Sequence, residues 1–430
     1  MSGPRRRAPR GSGRRPSALR GRPRPTLVRR AALLACGSLW AASAPLAQAV
    51  GPVAAARLGG VGIARLPLPT AVETAAGTWA SVPMGHLDQP LNTFWQLFFL
   101  PQGGSLWSDH AQDLGVATNG GVVLAASGPS SLLASVGPSH LLSYSTLLWT
   151  SGTGRSWTPG APIPGPVEGL AADPASGELA LVARGGGEVL SSTWRPGTAP
   201  ASPSAPLPGW RLLLTRAALA ASGAGRSCEP TALTAVAYGA GGEPVVGASC
   251  LRPGALGVFV EAHGAWRLAA PRLPGEESRS PLTVLRLGSG GSVPTGLAAI
   301  ESPSGPDLVA LGPGSGGLRP GLSEPLPLGR GALILSVGSD DALGPGGELA
   351  LYENSSGALR LAVTAGAGRS WTELAPPPAG TATVAFGPTG IADALAVDGT
   401  VMTDWRLAPG TQSWARHQVA RVDILFGSSG

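Results

Sequence analysis

Apolar segments that read as β-strand openings begin at Val167, Thr231, Leu282, Ala332 and Thr381, at intervals of about 50 residues after one longer first step. One unit is laid out clearly. Ala232 to Tyr238 is a strand and a Gly-Ala-Gly-Gly turn follows. Val245 to Cys250, Leu256 to Ala262 and Trp266-Arg267-Leu268 come next, separated by Arg252-Pro253-Gly254 and His263-Gly264. Four short strands joined by tight turns form one antiparallel sheet that cannot bury both faces alone. Sheets of equal size must therefore stack on one another, and a spacing near 50 residues is what a ring of four-stranded blades requires. The long step is explained by the Pro/Ser-rich insert Pro196 to Pro208. The reading is all-β: a β-propeller of four-stranded antiparallel blades, about seven between residues 80 and 428, with six as the alternative.

Composition agrees. Gly and Pro number 65 and 43, a density that would suggest low complexity if the apolar fraction were not 43%. Turn-rich β structure accounts for both. The net charge of +6 is misleading, because residues 1–30 hold 11 arginines and no acid. The rest is mildly acidic, and the chain has no lysine. That excludes lysine Schiff-base chemistry and phosphate-loop lysines.

The Arg-rich start runs into an uncharged stretch from Ala31, with Ala47-Gln48-Ala49 as a small-residue cleavage site. Residues 1–49 read as a secretory signal cut after Ala49, or as an uncleaved membrane anchor. Arg29-Arg30 is a faint twin-arginine signal, and the run before Cys36 is too short for a lipid-anchored one. Residues 50–80, rich in Ala, Gly and Pro, read as a flexible linker, and residues 81–430 as the propeller. The aromatic run Leu91 to Leu100 with Ser105-Leu106-Trp107 reads as a buried hairpin. Val419 to Phe426 reads as a last strand able to close the ring on the first blade.

An octamer recurs. Thr150-Ser151-Gly152-Thr153-Gly154-Arg155-Ser156-Trp157 returns as Thr364-Ala365-Gly366-Ala367-Gly368-Arg369-Ser370-Trp371. A third copy, Ala221 to Cys228, keeps Gly225 and Ser227 and puts Cys228 in place of Trp. Each follows an apolar run, so each reads as strand, glycine turn and short strand, with the Trp folding back onto a neighbouring layer.

The pattern resembles the Asp-box, or BNR repeat, of sialidase-like β-propellers. The matching positions are Thr150, Gly154, Ser156 and Trp157, then Thr364, Gly368, Ser370 and Trp371. Gly152, Gly366 and Gly223 stand where that family has Asp, so the boxes are degenerate. The resemblance implies an outer hairpin with a structural role, away from any catalytic face.

Cys228 and Cys250 flank the hairpin that turns at Gly239 to Gly242, nearly opposite each other. In an exported protein this favours a disulfide, the alternative being two small buried thiols.

Chemistry is scarce. The resemblance would bring an arginine triad, a Tyr–Glu nucleophile and an Asp acid/base, but no motif places them. Leu251-Arg252-Pro253 and Leu318-Arg319-Pro320 are only distant echoes of its arginine motif. Tyr352 and Glu353 are adjacent and so face opposite sides of a strand. Ser108-Asp109-His110-Ala111-Gln112-Asp113 is the densest polar cluster and reads as a solvated loop. The five histidines lack metal spacing, and Asp340-Asp341 reads as turn chemistry. No phosphate loop, nucleophile elbow or dinucleotide fingerprint occurs, and no cofactor is expected.

The functional expectation is an exported, non-catalytic propeller that offers a binding face to a glycan, a peptide or a cell-envelope partner. A sialidase-type glycoside hydrolase is the alternative, and an assembly factor for a membrane complex the second. No nucleic-acid partner is expected, and membrane contact only through an uncleaved N-terminal segment.

Overall fold

The computed structural model describes residues 67–87, 92–139, 142–173, 175–193, 209–269, 273, 279–289, 292–313, 320–339, 343, 347–364, 370–387 and 389–423. The signal, Ala49, the insert Pro196 to Pro208, Arg319, Asp340-Asp341 and Gly368 lie outside these residues.

The described strands form six antiparallel sheets, and the nine-stranded one joins two successive meanders, so that seven units follow one another along the described chain. The first is Ala71–Thr74, Gly77–Gly85, Thr93–Pro101 and Ser108–Asp109. The inner strands of the next six are Val122–Gly128, Val167–Ala172, Pro230–Tyr238, Leu282–Gly288, Leu333–Ser339 and Thr381–Phe386. Each is followed by further strands in meander order, three in most units and four in the second and fifth, where the outer edge is two short pieces. The fourth and fifth units are also bridged where Ser249 and Cys250 pair with Thr283 and Leu282.

Strand alternation turns these sheets into a ring. Successive side chains point to opposite faces, so Leu97 and Phe99 pack toward the second unit while Phe98 and Leu100 pack toward the seventh. Seven apolar cores result, each between two neighbouring sheets. The last joins Val82, Met84 and Phe98 of the first unit to Ala385, Leu395 and Met402 of the seventh. Inner strands touch around the whole circuit, Ala71–Thr74 meeting Thr381–Phe386 at the closure. The chain is a β-propeller.

Tryptophans mark the interfaces. Trp107, Trp157, Trp210, Trp266, Trp371 and Trp414 stand at or just before the start of a fourth strand. Each packs into the core shared with the preceding unit. Three donate their indole N–H backward, Trp210 to the Ala161 carbonyl at 3.3 Å, Trp371 to Glu324 at 3.1 Å and Trp414 to Ala375 at 3.0 Å. A ring that large with one polar atom suits a seam with one wet edge.

Three expectations change. Residues 71–80 are strand, not linker, because Ala71–Thr74 pairs with Gly77–Ala80 as the innermost hairpin. The final strand, Ala415–Arg421, stays in its own unit beside Val401–Leu407 and does not complete the first sheet, whose four strands all come from the N-terminal side. Residues 424–426 lie outside the described residues. Closure rests instead on apolar packing, on bonds from Gly85 N to the Gly399 carbonyl and from Arg406 Nη2 to the Ser105 carbonyl, both at 2.9 Å, and on Gln418, whose side-chain amide accepts from Trp107 N at 2.8 Å and donates to Trp107 O at 2.8 Å. Finally, the third octamer is helical. The strand stops at Thr215, which caps a helix Arg216–Ala221 through a bond from Ala218 N at 3.0 Å. Ser222 caps a turn of helix, Gly223–Arg226. The Ala-rich run favours helix. A Cβ on Gly225 would lie 1.8 Å from the Leu219 carbonyl, so that glycine serves helix-to-helix approach. Gly225 and Ser227 are therefore not box residues.

Candidate functional site: the axial channel and the end-face groove

Inner strands run in one sense, so the propeller has a face where they begin and a face where they end. The first octamer lies on the end face, between third and fourth strands. Thr150 Oγ1 donates to the Ser156 carbonyl at 2.7 Å across the turn. Gly152 and Gly154 have φ of 64° and 74°, a region open to glycine. Trp157 meets Trp79 edge-on at 5.9 Å. The second octamer joins the same strands of the sixth unit. Thr364 Oγ1 there accepts from Glu348 N at 3.0 Å, and Ser370 and Trp371 precede and open its fourth strand. The first is a structural corner; residues 365–369 of the second lie outside the described residues.

Cys228 and Cys250 form the disulfide, with Cα atoms 4.8 Å apart, within the range that a bridge needs. It ties the helical crossover between the third and fourth units to the second strand of the fourth.

The axis holds a cavity of about 360 Å³. Inner strands of five units carry a bulge near their start. A bulge leaves one residue unpaired and re-aims it. Three such residues, Glu168, Thr234 and Leu285, line the cavity. Burial pushes the Glu168 carboxyl up to about 7, since desolvation penalises the charged form. Among the described residues nothing hydrogen-bonds to its Oε2.

Arg286 lines the cavity toward the end face. Its guanidinium bonds Ser339 Oγ and pairs with Glu348 Oε2 at 3.0 Å in the next unit. Glu348 is fully buried and raised to about 7, burial outweighing Arg286. At the other end sits the segment Pro67 to Thr70. Ser336 Oγ donates to the Pro69 carbonyl at 2.6 Å, and Leu68 is buried against the fifth and sixth units.

On the end face, between the third and fourth units, lies an open groove of about 800 Å³. Turns supply its polar groups: Glu178 after one inner strand, Glu243 after the next, and His263-Gly264. Arg211 pairs with Glu178 across it. Trp266 forms its apolar wall, half-buried against the core. Its indole N–H makes no hydrogen bond among the described residues.

Other candidates resolve into structure. Tyr352 is buried and donates to Glu373 Oε1 at 2.7 Å, away from Glu353. His110 bonds Ser108 Oγ at 3.0 Å and Asp113 at 2.8 Å, a Ser–His–Asp relay. Ser108 Oγ also reaches the Phe99 carbonyl at 3.2 Å, and none of the three lines either hollow. Asp109 is raised, by burial first, and accepts from Ala111 N. Among the described residues Arg286 is the arginine lining the channel, so these residues do not assemble the triad a sialidase needs. No group of three or more His, Cys, Asp and Glu fit for a metal occurs among them. Glu168, Arg286 and Trp266 escaped the sequence reading as site residues.

No family model matches this chain, and no curated protein matches it. Solved structures do. A protein from Lactobacillus plantarum aligns over 79% of this chain and 95% of its own at 11% identity and TM-score 0.49. YCF48 from Cyanidioschyzon merolae aligns over 81% and 98% at 13% identity and 0.47. The β-propeller domain of the Trilobed protease from Pyrococcus furiosus aligns over 84% and 99% at 7% identity and 0.41. Likenesses this distant carry no functional argument, and fold alone licenses no activity.

Proposed function

We propose that this chain is an exported, non-catalytic propeller that presents its end-face groove to a glycan or a peptide at the cell envelope. The observation that carries the reading is Trp266. It is one of six interface wedges, and among the described residues its N–H has no hydrogen-bond partner in a groove ringed by Glu178, Arg211, Glu243, Glu261 and His263. An aromatic wall with hydrogen-bonding groups around it suits a polar ligand with an apolar face. Export is supported by the Arg-rich start with its apolar stretch and by the disulfide, a bond of oxidising compartments. The glycine corners are best read as worn Asp-box turns. A hydrolase finds little support, because Arg286 is committed to Glu348 and Ser339.

Glycan and peptide arrays probed with the full chain test this. The expected result is a hit that Trp266→Ala reduces tenfold or more, on the order of the 1.4 kcal/mol that an aromatic contact supplies. Equal binding by the variant refutes the groove.

A further inference from the structure

The axial cavity is separate from the groove and poses its own problem. Its wall is mixed: Val72, Val123 and Leu285 supply apolar surface, and Thr234 stands at the same level as Glu168. The Thr234 hydroxyl is spent on the Val284 carbonyl at 2.6 Å. Arg286, toward the end face, is held by Glu348 and Ser339. Glu73 also lines the cavity. With Arg286 set against Glu348, Glu168 is the lining carboxyl whose Oε2 has no hydrogen bond among the described residues. A buried carboxylate is expensive unless it is paired, and a pocket of several hundred Å³ that sets a carboxyl beside apolar side chains has the form of a small-molecule site. The bulge at Glu168 adds to this: the strand gives up a ladder position there, between Val167 and Gly169, and turns an acid toward the axis.

We propose that the axial channel binds an organic ammonium ion with a compact apolar body, the Glu168 carboxylate serving as counter-ion and the side chains of Val72, Val123 and Leu285 packing against the body. The guest enters from the end face, because Pro67 to Thr70 occupy the other end, fixed by the Ser336–Pro69 bond and by buried Leu68. Glu168 holds the charge of its guest and takes part in no bond making.

Isothermal titration calorimetry on the full chain at pH 8 tests the site with benzylammonium and cyclohexylammonium, with benzyl alcohol and benzoate as neutral and anionic controls. The expected result is binding of the two ammonium ions, at least tenfold weaker binding of the alcohol, and none of benzoate. Glu168→Gln should weaken the ammonium ions about 30-fold, as loss of one partner of a buried charge pair does. It should leave the alcohol within about twofold, and the circular dichroism and Tm at pH 5 unchanged. Affinity for the ammonium ions should also fall from pH 8 to pH 5 as the carboxyl takes up its proton, and that fall should vanish in the variant. A misfolded variant would leave the wild-type comparison of ammonium with alcohol and the pH series to decide. Absence of binding by every probe, equal binding of alcohol and ammonium, or an unchanged affinity in Glu168→Gln overturns the proposal. None of these outcomes bears on Trp266, so the two sites stand or fall separately.

Discussion

Gly154→Ala tests whether a glycine corner of the propeller is a packing device or only a turn. Gly154 has φ of 74°, and a Cβ there would lie 2.2 Å from Trp79 Cη2. Trp79 cannot retreat. Its ring is 1% exposed and touches Phe99 at 4.4 Å, His110 at 5.5 Å and Trp157 at 5.9 Å. The left-handed backbone costs a non-glycine residue about 1 kcal/mol, and forcing a methyl into a packed core costs about 1–3 kcal/mol more. The expected loss is about 2–4 kcal/mol. Gly152→Ala is the internal control. Its φ is 64° but nothing lies within 4 Å of its Cβ position, so about 1 kcal/mol is expected. Urea unfolding followed by tryptophan fluorescence reads both. The double variant Trp79→Phe, Gly154→Ala should recover part of the clash, a coupling that a mutant cycle isolates. If the two alanine variants lost stability equally, the close approach of Gly154 to Trp79 would be wrong.

Arg286→Met should cost about 3 kcal/mol at pH 8, since it leaves Glu348 buried without its cation, and clearly less at pH 5. The sign follows from Glu348, whose folded value near 7 stands above its ordinary 4.5. Its burial penalty is absent when the group is protonated and grows as pH rises through that window; thermal melts of both proteins across pH 5–8 check it. Asp404 is raised by burial and by neighbouring Asp393, so Asp404→Asn should gain stability relative to wild type as pH rises above the ordinary carboxylate range, read by the same melts. Loss of the bridge in Cys228→Ser, Cys250→Ser should cost about 3 kcal/mol, the chain-entropy value for a span of 22 residues, measured by urea unfolding. Gln418→Ala should cost about 1–3 kcal/mol by orphaning the partly buried Trp107 amide and carbonyl, and hydrogen exchange should speed up along the first and seventh units before the others.

The ring was largely legible because each unit repeats one solution to one problem. Inner strands begin at Val167, Leu282 and Thr381 as read, and within a residue of Thr231 and Ala332. Apolar runs punctuated by glycine carry that information locally. A second period was present and unread: Trp107, Trp157, Trp210 and Trp266 recur at nearly the same spacing, Trp371 follows after a gap of two units and Trp414 one unit later, and each wedges against the unit before it. The third octamer misled because its glycines suit a helix junction as well as a hairpin corner, and only the alanines of Arg216–Ala221 decide between them. The closure was misjudged because Gln418 acts through one side chain, which leaves no strand-length signal. Glu168 was invisible for a different reason. An acid at the second place of an inner strand looks like an ordinary solvent-facing residue until the bulge shows that the place faces the axis. The substitution of Thr, Leu, Leu and Ala at the equivalent bulges, residues 234, 285, 335 and 382, was the available clue.

The central claim is that the first and seventh sheets adjoin and complete a ring. Leu106 and Val419 are both exposed and each neighbours a residue of the Trp107–Gln418 clasp. With Cys36 replaced by Ser and the native bridge intact, spin labels at Leu106→Cys and Val419→Cys should give a narrow distance distribution at the short end of the range that double electron–electron resonance reads. A broad or long distribution in the folded protein would mean that the first and seventh units do not meet, and the closed propeller would be wrong.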